Sequence, residues 1–526
     1  MKFLYTLTFS ALLFASSCKK DSALEITGSP LKPSLLGANV DTLVGVITQP
    51  MTLTRTTFLK GIVHLESTLT IQPGVTIKGI RGNRFVDSQG VPKDDYTGLL
   101  IVERGAKLIA NGTPSNPIVW TSDSPPGFRA PGDWGGVIIL GSAPVSTITS
   151  AATNILNEFK FSTISQQDSY RYTYGSYEDD RDEGLNYGDN SGSITYNRFE
   201  FGGGLNSYPP GNKPGNNYLA ENRMSTLTFA GVGAGTVIHH VEVLNSENDG
   251  FAFFGGNVNA SHLLSYNNND DDFDFTEGYW GNLQFIIGYR ARMGRYSESN
   301  LIEVDNNNEG NIFPRYSERS FERSTKFTRP FISNATLIGP ENPEPFPEDY
   351  YTGMILVRRA GLIRLANSIV SSRSLRNSFS STRTTDPFFF GDPKPPYLYD
   401  DIYADTKSAV IANLFEPNVS AQAIKFSQID HEFHYDQDGN SNDPNLAISY
   451  NAPLEAEFIQ HGNSFYDNFS LFKLDRFFKP LAYSPALKGA YDLSGYEFFV
   501  NTNGQRGAVL TTDVWTAGTW ISVASN

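Results

Sequence analysis

Five acidic side chains crowd into eight residues at Asp270-Asp271-Asp272-Phe273-Asp274 and Glu277, and Asp249 lies 22 residues before Asp271. Carboxylates at this density support three kinds of chemistry. The first is a solvated acidic face with Asp capping turns. The second is a Ca²⁺ site, since a hard cation wants several carboxylate and carbonyl oxygens; Asp249, Asp271, Asp272 and Asp274 are the candidate ligands. The third is catalysis. If Phe273 and Phe275 face a core, Asp272 and Asp274 face solvent on one strand, about 7 Å apart. That separation suits an inverting glycosidase, with water between acid and base. The matching outward positions one repeat earlier are Gly250 and Ala252, small neighbours that favour a groove. Arg290 and Arg292 fall one repeat after Asn268 and Asp270. Beside Ca²⁺-bound carboxylates an arginine could serve as a lyase base; otherwise Arg292 pairs with Asp270. Asp272, Asp274, Arg290 and Arg292 are therefore the catalytic candidates if the chain is an enzyme.

Other constellations are thinner. Asp436-x-Asp438-x-Asn440 has the oxygen spacing of Ca²⁺ loops, but it lacks the glycine and terminal glutamate where an EF-hand has them. His431 and His434 beside it have no obvious third metal ligand. His240 and His262 repeat on an outward face, where they form either a metal- or pH-sensing pair or an exposed ladder. Segment 170–187 (YRYTYGSYEDDRDEGLNY) sets five tyrosines among acids. Tyrosine rings stack on sugar faces and are equally suited to protein interfaces. There is no P-loop, dinucleotide-binding or zinc-protease motif, and GFAFFGG (250–256) reads as a strand rather than a phosphate cradle.

The elements that must position these groups are strands. Gly (47), Phe (37) and Tyr (26) are abundant and charged residues make up only 18%, which points to an all-β secreted protein. Short alternating runs such as GIVHLESTLTIQPGVTIKGI (61–80) and GDWGGVIILGSAP (132–144) are punctuated by turn residues. An internal repeat of 22 residues aligns Phe229, Phe251 and Phe273 without a gap, and likewise Gly231, Phe253 and Phe275. The same step joins His240, His262 and Gln284, and Val241, Leu263 and Phe285. A period near 22 is one turn of a parallel β-helix, in which like residues stack above like. The fold class is therefore all-β, a right-handed single-stranded β-helix with loop insertions. Val241, Val243, Leu263, Phe285 and Ile287 are expected inside, and Asn245 above Asn267 suggests an amide ladder. The expected organisation is β-helix over 39–375, an irregular segment with further strands over 376–479, and a β-rich cap on the open end over 480–526.

The first residues read as an address. Lys2, apolar Phe3–Phe14 and Ala15-Ser16-Ser17-Cys18 match a signal peptide (1–17) with a lipobox, so Cys18 is the expected lipidation site and 18–38 the tether. Cys18 is the only cysteine, which leaves packing rather than disulfides to hold the fold. The net charge of −15 argues against nucleic acid as a partner.

Cys18 with its lipobox, GDWGGVIILGSAP, ITYNRFEFGG (194–203), LTFAGVGAGTVIHHVEVLNSENDGFAFFGG (227–256), NNDDDFDFTEG (268–278) and the RGA…DVWTAGTW ending (506–520) resemble a family of outer-membrane lipoproteins of Gram-negative bacteria. The resemblance covers most of the chain. It implies a parallel β-helix in the cell envelope, held to the outer membrane by lipid, and implies no particular reaction. Such lipoproteins often accompany TonB-dependent transporters. Parallel β-helices also host pectin-degrading hydrolases and lyases, but the Gly-His-Gly and Arg-Ile-Lys pieces of those hydrolases are missing here. The expectation is a non-catalytic envelope lipoprotein presenting loops to a glycan or an outer-membrane transporter. The alternative is a polysaccharide-degrading enzyme with an acidic groove.

Overall fold

The computed structural model describes residues 41–523, apart from 83, 87–91, 95–96, 147–153, 156–168, 178–184, 205–223, 292–298, 306–327, 341–352, 359–360, 372–385, 392–409, 417–423, 427–458 and 467. Within them, short alternating strands build a right-handed parallel β-helix whose rungs turn through three walls. The first and second walls are often two halves of one strand, bent at a single left-handed residue. Val237–Leu244 bends at His240 (φ 56°), Ala260–Tyr266 at His262 (56°), Asn282–Tyr289 at Phe285 (60°) and Phe331–Ile338 at Asn334 (55°). A left-handed residue with a Cβ costs roughly 1–2 kcal/mol. The bend recurs at each level because each bent strand pairs in parallel with the next. The third wall stacks Leu99–Val102, Gly136–Leu140, Leu227–Ala230, Phe251–Phe254, Phe273–Thr276 and Ile302–Val304.

Alternate side chains of each strand meet inside. Leu227, Phe251, Phe273 and Ile302 form one buried column, and Phe229, Phe253, Phe275 and Val304 another. Neighbouring rings stack at centroid distances of 5.1 Å (Phe229–Phe253), 5.2 Å (Phe251–Phe273) and 5.0 Å (Phe253–Phe275). Burying each such side chain is worth about 1.5–3 kcal/mol.

The register differs from a gapless 22-residue repeat in two places. Phe229 lies over Phe253, not Phe251, because the turn after Ala230 is longer by two residues than the turn after Phe254. A two-residue slip preserves facing, so all three phenylalanines stay inside. The turn after Thr276 is longer by one residue, so Leu263 stacks on Ile286. A one-residue slip inverts facing. Phe285 and Ile287 are therefore outward, in a cluster with Trp515 and Trp520, and Ile286 takes the interior place. Asn245 and Asn267 are left-handed corner residues, and Asn267 accepts the Ala291 N–H of the next rung at 2.7 Å. An interior amide ladder lies further along, where Asn413 donates to Asn463 at 2.9 Å.

The solenoid continues past 375. Ile369–Ser371 pairs with Leu414–Glu416, which pairs with Ser464–Phe465. Long insertions stretch these rungs and hide their period. Residues 480–523 contain no strand among the described residues and do not close the open end. They form a strap along the side of the solenoid, where Trp515 lies 5.3 Å from His262 and Trp520 lies 5.6 Å from His240. A wall already hydrogen-bonded above and below has no ladder to offer a segment crossing its face. The strap's backbone therefore bonds mainly to side chains, Ser522 N–H to Glu242 (2.9 Å), Val500 N–H to Gln284 (2.8 Å) and Ala508 N–H to Thr336 (2.9 Å), and reaches a backbone carbonyl at the Asn367 corner, from Gly507 N–H (2.7 Å).

Candidate functional site

Asp272 belongs to the corner between the second and third walls, and it does not face solvent. Its Oδ2 accepts Arg290 Nε at 2.8 Å, and its Oδ1 accepts Ser265 Oγ at 2.7 Å and Asn268 Nδ2 at 2.9 Å. Asp272 and Arg290 are both fully buried. The remaining guanidinium donors go to Ser299 and to the carbonyls of Asp270 and Asn300. The expected open space beside Gly250 is filled: a Cβ there would lie 2.5 Å from Asn268 Nδ2 and 2.6 Å from Ser265 Oγ. Asp274 does point outward, half-buried and in register with Glu303. Ala252 is buried under Tyr172, Tyr174 and Val145. Asp272 and Asp274 thus stand on opposite sides of the wall, and the expected acid–base pair does not form. Arg290 is consumed by structure, and Arg292 lies outside the described residues, as do Cys18, Asp436, Asp438, Asn440, His431 and His434.

A different carboxylate group does converge. Asp249, Asp270 and Asp271 each bring one oxygen within 4.8 Å of the others. Asp249 accepts Ser225 Oγ (2.8 Å) and the Asp271 N–H (3.0 Å), while Asp271 accepts the Asn300 N–H (2.5 Å). Burial, then the neighbouring Asp270 charge, pushes Asp249 up to about 7. Burial raises Asp271 well above the usual carboxylate range, with Glu303, Asp270 and Asp249 adding to the shift. Such a cluster must share protons or meet a cation. The oxygens suit a hard cation such as Ca²⁺, though several already accept N–H or O–H donors. Asp249 and Asp271 were legible from sequence. Asp270, counted in the acidic run but not among the candidate ligands, and Glu303, which follows an insertion, were not.

The His pair also has a different setting. His240 and His262 stack at 4.3 Å beneath the two strap tryptophans. Burial, with the neighbouring histidines, lowers His240 to about 3 and His262 to about 4. Both are neutral at physiological pH. Two tyrosines of the acidic loop are spent on packing as well: Tyr172 meets His64 at 3.3 Å and Tyr174 bonds Glu277. Among the described residues the exposed aromatics are Phe128, Tyr170 at the start of that same loop, and Tyr483, Tyr491 and Tyr496 on the strap.

A family model described as a pectate-lyase like beta helix domain matches residues 45–445. No curated protein matches the sequence. Among solved structures the chain is similar to the Dettilon tailspike protein, at 14% identity and a TM-score of 0.26, over 74% of this chain. It spans 63% of the tailspike's length. The family match runs through well over half the sequence and coincides with the stacked rungs: this chain belongs to the pectate-lyase-like β-helix domain family.

Proposed function

We propose that this protein is a lipid-anchored component of the cell envelope that binds glycan without turning it over, with the β-helix as a rigid stand. The observation that carries the reading is the sealing of Asp272 against Arg290, which separates it from Asp274 and leaves the sequence's acid–base pair divided. Family membership and the exposed strap tyrosines support glycan as the ligand class. The anchor reading rests on Lys2, the apolar run and Cys18.

The protein should retain polysaccharide in affinity electrophoresis while releasing no new reducing ends or unsaturated products. Steady product release that disappears in Asp274→Asn would replace this reading with an enzyme. Cys18→Ala should move the protein from the membrane to the soluble fraction, because acyl chains contribute about 0.8 kcal/mol per buried CH₂. Unchanged lipid labelling and fractionation in that variant would end the anchor reading.

A further inference from the structure

A notch of about 260 Å³ opens between the strap and the left-handed corner of the rungs bearing Asn334 and Asn367. Its lining includes Tyr491, Asp492, Val500, Asn501 and Asn503 of the strap. We propose that this notch is a saccharide subsite that takes a single uncharged or amino sugar residue. The assignment rests on the glycan-binding reading above and gives it a place and a ligand class.

Size is the first argument. Pockets for drug-sized ligands run from about 300 to 1,000 Å³. This notch is smaller, suited to one ring with its neighbours outside. Chemistry is the second. A sugar presents an apolar C–H face and a rim of hydroxyls. Tyr491 is 49% exposed and Val500 62%, so two apolar surfaces stand open beside polar groups. Asp492 Oδ1 accepts the Ser494 N–H at 2.9 Å, and Asn501 Oδ1 accepts the Asn503 N–H at 2.7 Å. These local turns fix the side chains that offer a carboxylate acceptor and amide donors to hydroxyls. The Ser494 hydrogen bonds hold Asp492 below the usual carboxylate range, so it is ionised at neutral pH. A fixed negative charge disfavours uronic acids and accepts hydroxyl or ammonium donors.

Preorganisation is the third argument. Asn367 grips Tyr491 on both backbone edges, accepting its N–H at 2.6 Å and donating to its carbonyl at 3.0 Å. Gln284 grips Val500 in the same way, at 2.8 and 2.9 Å. Asn334 donates to the Gln505 carbonyl at 3.2 Å. Asn367 and Gln284 thus hold two lining residues, and Asn334 the strap just beyond them, before any ligand arrives, which cuts the ordering cost of binding.

The test titrates the full-length chain with methyl glycosides of glucose, galactose, mannose, glucosamine and galacturonic acid, read by saturation-transfer NMR and calorimetry. Tyr491→Ala and Asp492→Asn leave the backbone clamps in place, and their melting curves check folding. At least one neutral or amino glycoside should bind. Tyr491→Ala should weaken it about tenfold. Asp492→Asn should weaken it several-fold and erase discrimination against the galacturonide. Unchanged affinity in both folded variants would move the site elsewhere while the glycan reading stands. Preference for the galacturonide in the wild type would overturn the ligand class. No binding of any glycoside, together with no polysaccharide retention, would overturn both.

Discussion

Replacing Arg290 with Met should cost the fold about 3–5 kcal/mol, the range for breaking a buried ion pair by removing one partner. The thermal midpoint should fall by roughly 3–5 °C. The guanidinium is fully buried and serves the Asp272 carboxylate and the Asp270 and Asn300 carbonyls together, so its loss strands one charge and two acceptors. Asp272→Asn alone should cost a similar amount, because it strands the arginine instead. In the double variant the two losses should be far from additive, since a neutral amide no longer leaves a charge unpaired. Asp274→Asn, outward and half-buried, should stay within about 0.5 kcal/mol of the parent. Calorimetry or denaturant unfolding of the four variants decides the matter. Equal, small effects of Asp272→Asn and Asp274→Asn would mean that Asp272 is exposed after all.

The same corner explains what the sequence could reveal. The 22-residue step predicts a β-helix because stacked phenylalanines recur wherever turns keep equal length. It cannot report the two-residue excess after Ala230 or the single residue after Thr276, and only the second inverts facing. Hence Phe229 stays inside despite the wrong partner, while Phe285 and Ile287 move outside. Simple subtraction of the period pairs Arg290 with Asn268. In the fold Arg290 instead reaches Asp272, in the turn before the next third-wall strand. The strap escapes any local pattern. Its contacts join Trp515 and Trp520 to His240 and His262 across about half the chain, and its alternating apolar residues imitate a strand. The notch residues are equally silent, because Tyr491 and Asn503 acquire meaning only when Asn367 and Gln284 clamp the strap.

In EDTA, the thermal midpoint should stay nearly level up to pH 6.5 and then fall by roughly 2–4 °C by pH 8.5. Asp249, pushed up to about 7, Glu242, pushed up to about 8 chiefly by burial, and Asp271 all bind protons more tightly folded than unfolded. Their stabilisation is complete below the unfolded carboxylate values and is lost as pH rises through the folded ones. His239, His240 and His262 work in the opposite sense. Their folded values lie below 6.5, so they favour the fold above that pH and oppose it as pH falls. The two sets offset each other below 6.5 and leave the carboxyl groups alone above it, where the loss is on the order of 2–4 kcal/mol. Calcium then separates the two ways of neutralising Asp249, Asp270 and Asp271. A bound cation would take over the protons' role in this cluster at pH 8.5, so calcium should raise the midpoint there and change little at pH 6. Asp249→Asn should abolish that response and leave the part of the alkaline loss due to Glu242 and Asp271. Superimposable melting curves in calcium and EDTA at pH 8.5, with the alkaline fall intact, would mean that the corner holds protons and no cation.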